Sequence, residues 1–237
     1  MLNEQINSLV YRNVQNAPET FFNEEAYLLV YPDVKNAVEA GSISSGLEHY
    51  KQYGLEENRV GFFLGSNGND EITGFGEGTK IITGVSFDTL LNGSLTTGVS
   101  EVDTLTGTEG RDIFLLGHPS LPELNPNPQQ FYVGGGDADH ALIKGFESFK
   151  DSIVLEGKLE NYKIEKVNEN IEISTDGDLV GIVEGVTSLE EYDIEVEGLN
   201  ATVSGDSLDQ DLNLSVTLIK NTFNIPFDVD GSFSVLM

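Results

Sequence analysis

A chain of 237 residues is long enough for one large or two small domains, and fractions of 38% hydrophobic and 22% charged residues are those of an ordinary soluble protein. Forty acidic residues against 12 basic ones give a formal charge of -28, which argues against nucleic acid and anionic membrane surfaces as partners and fits either a solvated acidic surface or a bound cation. The absence of cysteine removes disulfides, thiolate metal sites and cysteine nucleophiles, so any metal here must be held by oxygen or by the three histidines.

In chain order, the opening MLNEQINSLVYRNVQNAPET has no basic flank followed by an apolar run, and no cleavable secretory signal is expected. Residues 21–60 read as short helices. Asn23 caps a first, with Glu24 and Glu25 in its first turn; Pro32 starts a second that ends at Gly41; Ser45 and Glu48 form a capping-box pattern for a third, which Gly54 terminates. Tyr27, Leu28, Tyr31, Val34, Val38, Leu47, Tyr50 and Tyr53 recur at helical spacing and predict a small shared core.

After residue 64 the texture changes to glycine, threonine and aspartate, and a nine-residue frame emerges: Gly-Gly-x-Gly-x-Asp-x-(large apolar)-x. Glycines permit a tight turn with positive φ, Asp at position six faces that turn, and x-apolar-x forms a very short strand. GSNGNDEIT (65–73) departs only at Ser66. GFGEGTKII (74–82) follows in tandem with Thr79 where Asp belongs and Glu77 at a glycine position. GVSEVDTLT (98–106) and GTEGRDIFL (107–115) form a second tandem pair, placing Asp103 and Asp112 in the frame, and GGGDADHAL (134–142) adds Asp139, with Asp137 at a glycine position and Ala141 as the inward residue. Two insertions, 83–97 and 116–133, are expected as loops leaving the edge, the second because of its prolines. ALIKGFESFKDSIVLEG repeats Asp-x-Ile at 151–153 as the closing turn. Residues 160–186 alternate as antiparallel strands, with turns at Asn168–Glu169 and Asp176–Gly177, and would cap the open end of the array. The last fifty residues look strand-rich and carry no motif.

These nonapeptides resemble the RTX, or hemolysin-type, calcium-binding repeats of bacterial secreted proteins, over roughly residues 65–186. The segment YPDVKNAVEAG...SGLEHYKQYG is similar to a short helical module found beside such repeats. The resemblance implies a mainly β fold: a right-handed parallel β-roll or β-solenoid with consecutive copies on alternate sides, capped by antiparallel strands and preceded by a small helical module. The expected division is 1–62 for the helices, 63–158 for the roll with two insertions, and 159–237 for the β-rich cap and tail. Alternation places Asp70, Asp103 and Asp139 along one edge and Thr79, Asp112 and Asp151 along the other. The implied cofactor is Ca²⁺, held by the position-six carboxylates and turn carbonyls. Asn67 and Asn69 supply carbonyls, and Asp137 is a further candidate.

The function so implied is a secreted calcium-binding protein, a non-catalytic surface, matrix or adhesion component. Its roll would fold on meeting external calcium after export by a route without an N-terminal signal, such as type I secretion. An extracellular protein or polysaccharide as a further partner is left open. Two alternatives stand beside it: a metal-free β-solenoid scaffold, and an accessory or export domain of an extracellular enzyme. Neither His-Glu-x-x-His nor Gly-x-Ser-x-Gly occurs in the chain, and His49, His118 and His140 are scattered, so no catalytic residues are expected. With 40 carboxylates an acid pair can always be imagined, which gives such a pair no weight without a cleft.

Overall fold

The computed structural model describes residues 21–92, 98–118, 128–190 and 193–196. The expectations for the first twenty residues, for Pro119, Pro122 and Pro126 of the second insertion and for the C-terminal tail beyond 196 lie outside the described residues.

Each apolar segment that follows a glycine turn becomes a short strand, because a few residues are all that separate one turn from the next. In chain order these are β1 (Gly61–Leu64), β2 (Glu71–Thr73), β3 (Lys80–Thr83), β4 (Val102–Thr106), β5 (Asp112–Leu115), β8 (His140–Lys144) and β9 (Ser152–Val154). Successive members alternate between two sheets. One sheet, in the order β1-β3-β5-β9-β13 with β13 at Ile194–Glu195, is parallel throughout. The other runs β10-β11-β12-β8-β4-β2, where β10 (Tyr162–Val167), β11 (Asn170–Thr175) and β12 (Asp178–Val183) are antiparallel to one another and β12 joins β8 in parallel. The described chain is thus mainly β, with one parallel sheet, one mixed sheet and few helices.

The core is two rows of stacked apolar side chains. Register pairs Phe63 with Ile82, Ile82 with Phe114, Phe114 with Ile153 and Ile153 with Ile194 in the parallel sheet. In the mixed sheet it pairs Ile72 with Leu105, Leu105 with Ile143 and Ile143 with Val183. All of these are buried, and each side chain so removed from water is worth about 1.5–3 kcal/mol. Ile72, Leu105 and Phe114 are the eighth residues of their nonapeptides. Two copies are out of frame. Ile82 rather than Ile81 stacks on Phe114, and Ile143 rather than Ala141 lies opposite Leu105; Ala141 is buried as expected, but opposite Asp103.

Helices cover the β1 end. The helices α1 (Glu24–Val30), α2 (Pro32–Glu39) and α3 (Gly46–His49) form where the caps predict: the Asn23 side chain accepts from the Ala26 N–H at 2.8 Å, and the Ser45 hydroxyl from the Glu48 N–H at 3.0 Å. α3 loosens into a π turn over Tyr50–Gly54. Their core is continuous with the sheets: Phe22, Tyr27, Tyr50, Phe63 and Phe75 pack ring against ring, and residues 21–23 bond along β1. Tyr53, expected in that core, is exposed. At the far end the β10–β11 hairpin extends the mixed sheet; Asn168, Asp176 and Gly177 all take positive φ in its turns.

The described parts of the insertions turn inward, where outward loops are expected. In the first, the Ser86 hydroxyl accepts from the Thr89 N–H at 3.3 Å and starts α4 (Phe87–Asn92), whose Phe87 and Leu90 are buried. In the second, β6 (Gly117–His118) pairs with β7 (Gln129–Gln130), after which Phe131 and Tyr132 turn inward and are fully buried. Large apolar side chains at the base of each insertion hold it to the core.

Candidate functional site

An aspartate that enters a strand straight from a glycine turn has its carboxylate beside the N–H groups of that turn. Asp70 Oδ2 accepts from the Ser66 N–H at 2.7 Å, Asp112 Oδ2 from the Thr108 N–H at 2.7 Å, and Asp151 Oδ2 from the Glu147 N–H at 2.8 Å. The other oxygen reaches the preceding strand of the same sheet: Asp103 Oδ1 accepts the Asp70 N–H at 2.8 Å, and Asp151 Oδ1 the Asp112 N–H at 2.9 Å. Position six therefore closes its own turn at Asp70 and Asp112, ties its strand to the neighbouring one at Asp103, and does both at Asp151, through charge-assisted bonds.

Along the first edge, Asp70 and Asp103 are in register, one residue before the Glu71–Thr104 pair. Asp139 is not in register with them. Val102 pairs with His140, which sets Asp139 opposite Glu101, two positions short of Asp103. A short 3₁₀ turn at Gly136–Ala138 and the buried Tyr132 take up the difference. The Tyr132 hydroxyl donates to Asp103 Oδ2 at 2.6 Å, while Asp139 Oδ2 accepts the Ser100 N–H at 3.1 Å. Asp139 Oδ1 is buried without a hydrogen-bond partner. Glu101 Oε1 accepts the Gly68 N–H at 2.7 Å, and Asn69 uses its side-chain oxygen on the Val102 N–H at 2.9 Å. Asn67 and Asp137 are exposed on their turns. Asp178, which sequence reading missed, continues this edge by accepting from the Gly134 and Gly136 N–H groups at 3.0 and 2.6 Å.

On the second edge, Asp112 and Asp151 are in register, one residue before Ile113–Ser152. Thr79 is not their counterpart. Lys80 pairs with Asp112, and Thr79 falls one residue earlier. The Lys80 ammonium donates to the carbonyls of Gly76 at 2.8 Å, Gly78 at 3.0 Å and Glu109, and lies 3.2 Å from Asp112 Oδ1, with both side chains fully buried. Lys80-Ile81-Ile82 follows the same plus-two rule as Asp112-Ile113-Phe114, a signal hidden by the expectation of an acid. Asp193 was also missed. Sitting opposite Ser152, it accepts from the Phe149 and Glu190 N–H groups at 3.1 and 2.9 Å and from the Ser148 hydroxyl at 2.7 Å.

Burial raises the proton affinity of Asp103, Asp112 and Asp151. Asp112 is pushed from 3.8 to about 7 by desolvation, which the nearby Lys80 ammonium only partly offsets and the charge of Asp151 reinforces. Asp103 and Asp151 are raised for the same first reason, against the opposing effect of their hydrogen bonds. Lys80 is lowered by desolvation, with Asp112 acting the other way. The histidines are separate: His49 Nδ1 lies 3.0 Å from the Tyr27 hydroxyl, His118 Nε2 lies 3.1 Å from Gln129, and His140 follows Asp139 at the first edge.

No protein-family model matches this chain, and no curated protein does either. Among the described residues no group of three or more His, Asp or Glu is placed to hold a metal by side chains alone, and no helix is long and apolar enough to cross a membrane. Whether calcium suits the turns differs by level. Between β4 and β8 a buried carboxylate oxygen lacks a partner, which suits a cation; between β3 and β5 an ammonium already fills the corresponding space.

Proposed function

We propose that the protein is a secreted, non-catalytic calcium-binding module, an RTX-like right-handed β-roll that calcium completes, serving as a surface, matrix or adhesion component. The observation that carries this reading is the buried, unpartnered Asp139 Oδ1 on the edge that also gathers Asp70, Glu101, Asp103 and Asp178. An uncompensated buried carboxylate oxygen is costly, and a hard divalent cation with six to eight oxygen ligands relieves it. Turn carbonyls and water would supply the ligands that side chains do not. Alternation of the repeats between two sheets supports the roll, and the charge of -28 favours a cation over any anionic partner.

Far-UV circular dichroism and thermal melts of the full chain in EDTA, and then through a calcium titration to about 10 mM with magnesium as control, test it. The melting temperature should rise with calcium alone, with a midpoint on the order of 10⁻⁴–10⁻³ M. Asp139→Asn, which keeps an acceptor for Ser100, should lose most of that rise. A melting curve indifferent to calcium would sink the proposal. It would favour a metal-free interaction scaffold instead, a reading supported by the carboxylate brackets of Asp151 and Asp193, whose oxygens all have protein donors.

A further inference from the structure

The repeat asks for an acid at the strand entrance of every level, and at the β3 level the chain carries the opposite charge. We propose that the Lys80 ammonium is a tethered substitute for a bound cation at the junction of two turns, so that this level of the second edge is closed without metal. The proposal rests on the calcium reading only for the idea that such a junction otherwise takes a divalent ion.

The oxygens around Nζ come from both turns. Gly76 and Gly78 belong to the turn before β3, whereas Glu109 belongs to the turn before β5, and Asp112 opens β5 itself. The three donors of the ammonium meet the three carbonyls, and the carboxylate supplies the balancing charge at 3.2 Å. The stem has its own channel: a Cβ on Gly74 would sit 2.8 Å from Lys80 Cδ. The turns are in backbone contact, since a Cβ on Gly110 would overlap the Glu77 carbonyl and come within 2.6 Å of that of Gly78. An ordinary surface lysine has none of these features. Its ammonium stays in water and meets one exposed carboxylate, as Lys163 does with Glu165.

The test compares the parent chain with Lys80→Met and Lys80→Asp by thermal melts in EDTA and in 10 mM calcium, together with calcium stoichiometry by titration calorimetry. Lys80→Met keeps the stem and deletes the cation, and should melt about 10 °C lower in EDTA. Lys80→Asp restores the acid of the repeat. It should be destabilised in EDTA, recover in calcium, and bind one more calcium per chain than the parent. Lys80→Met melting within about 2 °C of the parent would overturn the proposal. So would a Lys80→Asp chain that binds no additional ion, or one that stays unfolded in calcium. A parent that binds no calcium beside a Lys80→Asp variant that binds one would sink the proposed function and leave this inference standing. A parent that binds calcium beside a variant that gains none would do the reverse.

Discussion

At the scale of single residues, the decisive contacts are those that compensate buried carboxylates. Asp103 is fully buried, and its Oδ2 takes the Tyr132 hydroxyl at 2.6 Å, a bond made by a residue of the second insertion to a strand of the mixed sheet. Tyr132→Phe removes that donor and almost no volume, and should cost about 1.5–3 kcal/mol, read as the shift of the urea unfolding midpoint at unchanged slope. An equal midpoint would mean that water replaces the hydroxyl at no cost. Asp70, Asp112 and Asp151 could be found in the sequence because turn closure demands an acceptor at a fixed distance after glycine, and Asp103 because the repeat sets it at the same place. Tyr132 could not, because its partner lies 29 residues away and nothing local in FYVGG announces it. The frame, fitted to glycines, sets Thr79 at the strand entrance, whereas the structure sets Lys80 there, two positions before the stacked apolar residue Ile82.

At the scale of elements, helices and strands were legible for different reasons. Asn23, Pro32, Ser45 and Gly41 are local signals, and the helices begin and end beside them. The strands were legible through repetition, but register was not: it slips by one residue at Lys80 and by two at Asp139, where turn lengths depart from nine. The spacing between turns is set by backbone contact, which makes glycines unequal. Gly110 has φ +89° and a Cβ there would overlap the carbonyl of Glu77, whereas Gly177 has φ +90° with open space around it. Gly177→Ala should therefore cost about 1 kcal/mol from backbone strain alone. Gly110→Ala must also separate two turns, and should cost more than about 3 kcal/mol, an effect to be measured by the same denaturant midpoints. Equal losses would mean that the stacked turns have room to move apart.

For the whole molecule, the balance of charge sets how stability responds to pH. Asp112 binds its proton more tightly folded than unfolded, with its pKa raised from 3.8 to about 7 chiefly by burial, and Asp103 and Asp151 shift in the same direction. Folding therefore takes up protons over that interval. The contribution is complete below 3.8 and is lost as the pH rises through about 7, so the metal-free chain should be more stable at pH 6 than at pH 8. One such group contributes about 1.4 kcal/mol between those two values, or roughly 3–5 °C in melting temperature for a chain of this size. His49 and His140 act oppositely. Both are lowered from 6.5 by burial, so their contribution is present above that value and is lost only as the pH falls through their lower folded values. Melts in EDTA at pH 6, 7 and 8 should show the rise toward acid, and Asp112→Asn, which holds that position neutral at every pH, should flatten it. A parent that melts higher at pH 8 than at pH 6, with Asp112→Asn showing the same slope, would mean that the Lys80–Asp112 attraction outweighs the desolvation of the carboxylate, and that the two charges in this junction are held as an ion pair across the whole range.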